Sequence, residues 1–376
     1  MIDRDTIRSL ASSRSDDGVF VSAFFSTSRL DDWRQTAPTF LNSGFNGLLR
    51  ERPLGKEPKK RLQEDVERIQ EVLRYEIGPR TEGLAVFADA ESGRFESIEL
   101  PFRFSNKLIV EPTAYLRPLI HALALLEPFV LARVSRDDGM IYSIDEWRLT
   151  RTEGHSGPYL QSTDRDTGDV PVKEYYAAAR QESLVDHHFK ELAAALDRTV
   201  DEIGASHVVL SGQHDIVSNF RKALSARAAA MVVAEIPLDH AASTAQLLVG
   251  ARAALADARH AATAALAERI AEGMGVGGRG VGGFDDTLAA LRRGQVQTLL
   301  IDRAYRPAGW ACGSCGHVLL APTPACPVCD GGTVPIVDAL GEAVRSAILQ
   351  GAYVEVGEDL PVLDSLEGIA GLLRYG

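Results

Sequence analysis

Residues 284–302, FDDTLAALRRGQVQTLLID, contain the pattern that decides the fold class of the last third of the chain. The segment opens with two acidic residues and apolar residues at helical spacing, and it predicts a helix over residues 286–292. The apolar run after the Arg-Arg-Gly turn predicts a strand over residues 297–302. Farther along, the pattern predicts a helix over residues 338–350 and a strand over residues 353–356. A small α/β sandwich with an insertion is therefore expected.

The composition is that of an ordinary globular protein. Of the 376 residues 45% are apolar, and 40 basic against 52 acidic side chains give a net charge of -12. A generic nucleic-acid binder carries a basic excess, so any RNA contact must come from local basic patches. No apolar run is long enough for a membrane span, and the N-terminal segment has no signal-peptide pattern. We therefore expect a cytoplasmic protein.

The insertion contains all four cysteines of the chain, as two Cys-x-x-Cys pairs: Cys312, Cys315, Cys326 and Cys329. Ten residues separate the pairs, which is typical of a tetrahedral Zn²⁺ site with thiolate ligands at about 2.3 Å. Four thiolates leave no position open for a substrate, so we predict a structural zinc ion in a minidomain of residues 310–333. Disulfides are the alternative, less favoured in a cytosolic chain with no other cysteine.

The rest of the chain predicts two further domains. The first, residues 1–126, contains a helix over residues 58–77 with one buried apolar stripe. The second, residues 127–273, begins with a hairpin and continues with alternating strands and helices, which predicts a partly parallel sheet. The third domain is residues 274–376. The predicted fold class is α/β (α+β) with three domains.

A glycine run, GMGVGGRGVGG at residues 273–283, separates the second and third predicted domains. Gly275, Gly277 and Gly280 match G-x-G-x-x-G, a phosphate-binding pattern that should follow a strand and open a helix. Because the run follows a predicted helix, a hinge between domains is favoured over a phosphate-binding loop.

Several motifs resemble those of a known family. The segment quoted first, Gly351-Ala-Tyr-Val-Glu-Val, and the terminal Glu367-Gly-Ile-Ala-Gly-Leu-Leu-Arg-Tyr-Gly are similar to the third domain of archaeal and eukaryotic class-1 peptide release factors and of Pelota. Archaeal members carry a cysteine-bearing minidomain at the same place. His207-Val-Val-Leu-Ser-Gly, followed by Phe220-Arg-Lys-Ala-Leu, resembles a step of the central domain. The resemblance thus covers residues 128–376.

The resemblance implies a role on the ribosome. The first domain would face the ribosomal A site, and a central release-factor-like domain would reach the peptidyl-transferase centre. An L7Ae-like third domain with a zinc-ribbon insertion would bind a translational GTPase such as EF-Tu. Bacterial members of the superfamily include Balon-like ribosome-hibernation factors, and its members act as monomers. The implied partners are the ribosome, with its rRNA at the A site, and a GTPase, and no membrane.

Departures from the family pattern bear on the activity. A release factor needs a Gly-Gly-Gln loop, which would lie within residues 151–172, and no Gly-Gly-Gln occurs in the chain. Gln161 is the glutamine of that loop, whereas Ser211-Gly212-Gln213 lies on a later strand-to-helix turn. The stop-codon signatures of the first domain are also absent. We therefore expect a factor without stop-codon-dependent hydrolase activity that binds the A site in hibernation or rescue.

Two other functions remain open. One is an enzyme that hydrolyses peptidyl-tRNA or RNA on stalled ribosomes through the 151–172 loop. The other is a zinc-containing adaptor that binds only proteins. No catalytic residue is predicted, because the chain has no nucleophile-elbow motif.

Two groups of residues are candidates for RNA binding. The first is the densest basic cluster, which either contacts rRNA phosphates or is a solvated helix start balanced by nearby acids: Lys56, Lys59, Lys60 and Arg61. The second lies in the polar stretch of residues 151–170, which is either a finger that enters an RNA-lined cavity or a surface loop: His155, Gln161 and Arg165.

Overall fold

The computed structural model describes residues 3–28, 30, 32–145, 148–156, 171–237 and 243–375. The chain forms two compact units. One consists of Met1–Ala124 together with Thr263–Gly376, and the other is Leu125–Ala262. The division into three domains with the boundaries given above stays a prediction.

The N-terminal part of the first unit is an antiparallel sheet with helices. Its elements are α1 (Arg4–Ser12), β1 (Phe20–Ser26), α2 (Trp33–Glu51), α3 (Lys56–Tyr75), β2 (Gly83–Asp89), β3 (Arg94–Leu100), β4 (Lys107–Glu111) and α4 (Arg117–Leu126). The strand order is β3-β2-β1-β4. The two central strands, β2 and β1, have the most continuous apolar sequence of the four.

Both faces of this sheet are covered. On one face, α2 and α3 pack against β1 and β2, and the apolar stripe predicted on α3 is confirmed because its members are at most 3% exposed: Leu62, Val66, Ile69 and Leu73. On the other face, the ring of Phe24 makes edge-to-face contacts with Phe87 and Tyr115, at centroid distances of 5.9 and 6.2 Å. Such aromatic pairs add to the free energy gained by burying their area.

One buried carboxyl interrupts the apolar face of α3. Asp65 is 4% exposed and accepts a hydrogen bond from the backbone N–H of Ala90 at 3.1 Å. Burial raises the pKa of Asp65 from 3.8 to about 7, and the nearby carboxylate of Asp89 raises it further. The charged form of Asp65 is therefore disfavoured in the folded protein.

This carboxyl gives the first unit a pH-dependent stability. Between pH 4 and pH 7 the folded state binds more protons at Asp65 than the unfolded state does, so stability falls as the pH rises. We expect Asp65→Asn, which keeps an oxygen for Ala90, to stabilise the protein by about 1–3 kcal/mol at pH 8 and to have little effect near pH 4. Urea unfolding at both pH values, followed by hydrogen exchange in β1 and β2, measures this. The control is Glu64→Gln on the exposed side of α3, and a less stable Asp65→Asn protein at pH 8 would contradict the prediction.

The second unit is a mixed sheet between helices. Its elements are β5 (Phe129–Val134), β6 (Asp138–Asp145), β7 (Arg148–Ser156), α5 (Pro171–Ile203), β8 (His207–Gly212), α6 (His214–Arg221), α7 (Ala226–Met231), β9 (Val232–Pro237) and the first part of α8 (Thr244–Glu272). The strand order is β7-β6-β5-β8-β9. The pairs β5–β8 and β8–β9 are parallel and the other pairs are antiparallel, which confirms the predicted partly parallel sheet.

Each face of this sheet has its own core. Leu192 and Leu196 of α5 pack with Phe220 of α6 on one face. Leu247 and Leu255 of α8 pack on the other face. Helices thus cover both sides, as the parallel strand pairs require.

The structure corrects the sequence prediction at residues 151–170, which were expected to be one long polar loop. Residues 151–156 belong to β7, where His155 is paired with Gly139 of β6. Polar residues are tolerated in β7 because it is an edge strand of the sheet. Residues 157–170 lie outside the described residues.

The C-terminal part of the first unit is a small α/β sandwich with an inserted ribbon, as predicted. Its elements are β10 (Gly280–Gly282), α9 (Phe284–Arg292), β11 (Val296–Asp302), β12 (Gly309–Cys312), β13 (Val318–Leu319), β14 (Thr333–Ile336), α10 (Ala339–Leu349), β15 (Tyr353–Gly357), α11 (Pro361–Asp364) and β16 (Ile369–Leu373). The main sheet has the order β10-β16-β11-β15, and the ribbon is the sheet β13-β12-β14. The ribbon is inserted between β11 and α10.

A buried polar junction joins the N-terminal and C-terminal parts of the first unit. Asp338, the N-cap of α10, accepts hydrogen bonds from Arg117 at 2.8 and 3.1 Å and from the hydroxyl of Tyr115 at 2.8 Å. The hydroxyl of Thr113 donates to Glu342 at 3.1 Å. Arg117 and Asp338 are 4% and 3% exposed, so this ion pair is shielded from water.

Candidate functional sites

The four cysteines form one compact cluster of sulfur atoms. Their Sγ atoms lie within 4.8 Å of one another, and all four cysteines are free thiols. The Sγ atoms of Cys312 and Cys329 are 3.5 Å apart, and those of Cys315 and Cys326 are 3.6 Å apart. A tetrahedron with metal–sulfur bonds of about 2.3 Å has edges of about 3.8 Å. The cluster therefore has the size and donor set of a tetrahedral thiolate metal site.

The two Cys-x-x-Cys pairs have the same local geometry. In each pair a backbone N–H two residues on donates to the sulfur of the first cysteine at 3.4 Å, from Ser314 to Cys312 and from Val328 to Cys326. The residue after each second cysteine has a positive φ, at Gly316 and, unusually for a residue with a side chain, at Asp330. The two turns thus aim four sulfurs at one point, as a metal requires.

Hydrogen bonding already prepares one sulfur for ionisation. Burial raises the pKa of the Cys312 thiol, but N–H donors from Cys315 and Ser314 outweigh burial and lower the pKa to about 6. Burial raises the pKa of Cys315 to about 12. A bound cation would supply the charge that lets the remaining thiols ionise, so metal binding releases protons.

His317 has another partner. Its Nδ1 atom lies 2.7 Å from the guanidinium of Arg292, and burial together with that guanidinium lowers its pKa. The arginine donates this hydrogen bond, so His317 acts as an acceptor here. The group of potential metal ligands in the described residues consists of the four cysteines alone.

Sequence reasoning missed two arginines that join the N-terminal and C-terminal parts of the first unit. Arg14, which precedes β1, donates to the carbonyl of Gly313 between the first two cysteines. Arg345 of α10 donates to Glu342 at 2.5 Å and to the carbonyl of Ala11 at 3.0 Å. No local signal marks the contacts with Gly313 and Ala11, because these partners lie 299 and 334 positions away along the chain.

The predicted basic cluster lies at the start of α3. Lys56, Lys59 and Lys60 are exposed, and Lys60 forms an i,i+4 ion pair with Glu64 at 3.5 Å. Arg61 differs from them, because its guanidinium is half-buried and donates to two carboxylates: Asp17 at 2.9 Å and Glu91 at 2.7 Å. Three lysines are thus presented to solvent, while Arg61 ties α3 to the loops beside β1 and β2. Their role in RNA binding stays a prediction.

The second predicted group is only partly covered by the structure. The backbone of His155 lies in β7. Gln161 and Arg165 lie outside the described residues. The segment that contains them connects β7 to α5. Ser211 and Gly212 end β8, and Gln213 is the N-cap of α6, as the sequence predicted for this strand-to-helix turn.

Among the helices of the described residues, none combines the length and the apolar character needed to cross a membrane.

Comparison with family models identifies the central segment. Residues 115–259, which include most of the second unit, match the model of bacterial archaeo-eukaryotic release factor family 10. The matched segment is 145 of the 376 residues, and over this segment the chain is similar to that family. No curated protein matches the chain by sequence.

A translation termination factor and Pelota-type proteins occur among the solved structures that are similar to this chain. The archaeal translation termination factor aRF1 is 18% identical, with coverage of 100% of this chain and 99% of that protein and a TM-score of 0.27. Dom34 of S. cerevisiae is 11% identical, with coverage of 78% and 80% and a TM-score of 0.42. Archaeal Pelota, from a ribosome-bound assembly with ABCE1, is 14% identical, with coverage of 78% and 77% and a TM-score of 0.41.

The position at which the sequence resemblance predicts a Gly-Gly-Gln loop lies within the matched segment. The mixed sheet and long α5 lie within the family match, and the β7–α5 connection is where the sequence comparison expected the Gly-Gly-Gln loop. The connection contains Gln161 but no Gly-Gly pair. The matched segment therefore contains no Gly-Gly-Gln sequence.

Proposed function

We propose that this chain is a ribosome-associated translation factor of the release factor and Pelota type that binds the A site without stop-codon-dependent hydrolysis. The family match over residues 115–259 carries this proposal. The absence of Gly-Gly-Gln from the whole sequence supports its non-hydrolytic part. Its action would fall in hibernation or rescue of ribosomes in the cytoplasm, and the chain would act as a monomer.

We further propose that the metal of the cysteine cluster is a structural Zn²⁺. The four sulfurs, their separations and the N–H donors to Cys312 and Cys326 support this assignment. Four protein ligands leave no open coordination position, so zinc would stabilise the ribbon and take no part in a reaction.

The proposal assigns two kinds of partner to the chain. The exposed lysines at the start of α3 would contact rRNA phosphates, and the β7–α5 connection would enter the A site. The C-terminal part of the first unit would contact a translational GTPase such as EF-Tu. The net charge of -12 favours binding that is assisted by such a partner over tight autonomous binding to RNA.

Co-sedimentation with vacant 70S ribosomes tests the proposal. At about 0.1 M salt, where electrostatic contacts are only partly screened, the purified chain should pellet with ribosomes through sucrose, and EF-Tu·GDP should increase the pelleted fraction. Simultaneous Lys56→Ala, Lys59→Ala and Lys60→Ala should lower the affinity about 10-fold or more, because phosphate contacts dominate such binding.

Two results would contradict this function. A chain that stays in the supernatant with and without EF-Tu·GDP does not bind ribosomes. A chain that pellets and releases peptide from peptidyl-tRNA is a hydrolase, and loss of that release in Gln161→Ala would assign the activity to the β7–α5 connection. The matched control for the lysine variant is Lys222→Ala, which removes a lysine of the second unit whose ammonium binds Asn219 at 2.8 Å.

A further inference from the structure

We infer that three arginines at one end of the C-terminal main sheet form a binding surface for the phosphodiester backbone of RNA: Arg279, Arg293 and Arg374. This inference rests on the proposed function and deepens it, because it names a surface of this chain that contacts ribosomal RNA. We call these residues the arginine cluster. None of them belongs to the basic groups predicted from the sequence.

The sheet topology assembles the arginine cluster from distant parts of the chain. β16 is antiparallel to β10 and β11, so it ends where they begin. At this end the N–H of Leu373 donates to the carbonyl of Arg279 at 2.7 Å. The N–H of Arg374 donates to the carbonyl of Gln295 at 2.8 Å. Arg293 follows α9 directly, in the turn that leads into β11.

Neutral oxygen atoms hold the side chains of Arg279 and Arg374. Arg279 donates to the carbonyl of Leu373 from Nε at 3.0 Å and from Nη2 at 2.8 Å. Arg374 donates from Nε to the carbonyl of Val296 at 3.1 Å and from Nη2 to the carbonyl of Gln350 at 3.1 Å. These contacts orient the guanidinium groups without neutralising their charge. Side chains that are ordered beforehand lose less conformational entropy when a ligand binds.

Each guanidinium keeps nitrogen atoms for a ligand. Within the described part of the chain, Nη1 of Arg279 and of Arg374 makes no hydrogen bond, and Arg293 uses only its Nε, which donates to Gln295 at 2.6 Å. No carboxylate of the described residues forms an ion pair with the cluster, whereas Arg303, just beyond the other end of β11, pairs with Glu358 at 2.6 Å. Unneutralised, planar guanidinium groups match phosphate oxygens well.

The surroundings of the cluster fit RNA. The backbone just before β10 is glycine-rich, and nothing lies within 4 Å of the position that a Cβ would take at Gly275 or Gly277. This open backbone lets a nucleic acid approach closely. Tyr375, next to Arg374, is 55% exposed and offers a ring on which an unpaired base can stack.

Variants of the full chain test this surface with two probes. The test variant is Arg279→Gln, Arg293→Gln and Arg374→Gln together, and the matched control is Arg303→Gln at the other end of the sheet. The probes are vacant 70S ribosomes and a labelled RNA hairpin of about 20 nucleotides. We expect about 10–100-fold weaker binding of the test variant to both probes and a slope of log K against log salt that is smaller by about two to three. The control should match the unmodified chain.

The outcomes separate this inference from the proposed function. If the unmodified chain pellets with ribosomes and the test variant binds both probes with the same affinity and salt slope, the arginine cluster does not bind RNA and the proposed function stands. If the unmodified chain does not pellet, the proposed function fails, and the hairpin alone decides whether the cluster binds RNA. Loss of binding to EF-Tu with unchanged binding to the hairpin would make the surface a protein-docking site and overturn the inference.

A second variant distinguishes loss of RNA binding from misfolding. Arg279 and Arg374 also hold strand ends, so their loss could disturb the sheet. In the described part of the chain, the hydrogen bond of the Arg293 side chain is to the side chain of Gln295, so Arg293→Glu should leave the fold intact while it reverses one charge. We expect Arg293→Glu to weaken hairpin binding about 10-fold, and unchanged binding in this variant would count against the inference.

Discussion

Serine in place of Cys326 is expected to abolish metal binding and to unfold the ribbon of β12, β13 and β14. Cys326 is fully buried, and its sulfur lies 3.6 Å from that of Cys315. The ribbon has few buried apolar side chains of its own, chiefly Val318 and Ile336, so the metal must supply most of its stability. Structural zinc contributes about 10–16 kcal/mol of apparent binding free energy in comparable small sites.

Metal analysis and hydrogen exchange measure this effect. The unmodified chain should contain about one zinc per chain, and Cys326→Ser should contain almost none. Amide exchange in residues 309–336 should accelerate by orders of magnitude in the variant. Because Arg14 donates to the carbonyl of Gly313, exchange just before β1 should also rise.

Val328→Ala is the matched control for Cys326→Ser. Val328 lies between the cysteines of the second pair, is 52% exposed and contributes only its backbone N–H to the site. The control should keep its full metal content. A Cys326→Ser protein with undiminished zinc would show that the four sulfurs do not form the site, and a chain without free thiols under non-reducing conditions would favour the disulfide alternative.

Alanine in place of Asp338 is expected to cost the first unit about 4–6 kcal/mol of stability. The change leaves the buried Arg117 without its carboxylate partner, which typically costs about 3–5 kcal/mol. It also removes the N-cap of α10, where Asp338 accepts a hydrogen bond from the backbone N–H of Gly341 at 3.2 Å. Loss of this cap lowers the stability by about 1 kcal/mol more. The hydroxyl of Tyr115 loses its acceptor as well.

Urea unfolding followed by hydrogen exchange in the first unit gives this free energy. Glu358→Ala is the control, because it breaks the exposed pair with Arg303 and should cost about 0–1 kcal/mol. The double variant Arg117→Met with Asp338→Leu should be more stable than Asp338→Ala, since no charge is left buried without a partner. Equal costs for Asp338→Ala and Glu358→Ala would show that the junction is not the stabilising contact described above.

Local patterns in the sequence predicted most elements of secondary structure and the cluster of four cysteines. The stripe on α3 and the helix and strand of residues 284–302 follow from periodicity, because side chains within one helix or strand face the same core. The four cysteines could be assigned to one cluster from the sequence, because each Cys-x-x-Cys pair forms its own turn.

Contacts between distant segments could not be predicted in this way. The sequence did not show that the fold brings Asp17 and Glu91 to the guanidinium of Arg61. Residues 151–156 were expected in a loop, but the free edge of β6 makes them a strand. In both cases the hydrogen-bond partner belongs to another element of the structure. A polar group that lies next to a strand or a carboxylate forms a hydrogen bond with it, even where the local sequence pattern favours another conformation or role.

By itself, the sequence determined the α/β class, the apolar faces and the spacing of the cysteines, since these depend on residues a few positions apart. The tertiary structure alone decided which charges are neutralised. Arg117 meets Asp338 across 221 positions of the chain and is buried as an ion pair. Arg279 and Arg374 meet at the ends of neighbouring strands and find only neutral oxygens. Strand pairing determines which residues surround each arginine. An arginine with a carboxylate nearby stabilises the fold as an ion pair, whereas an arginine without one keeps its charge available to a binding partner.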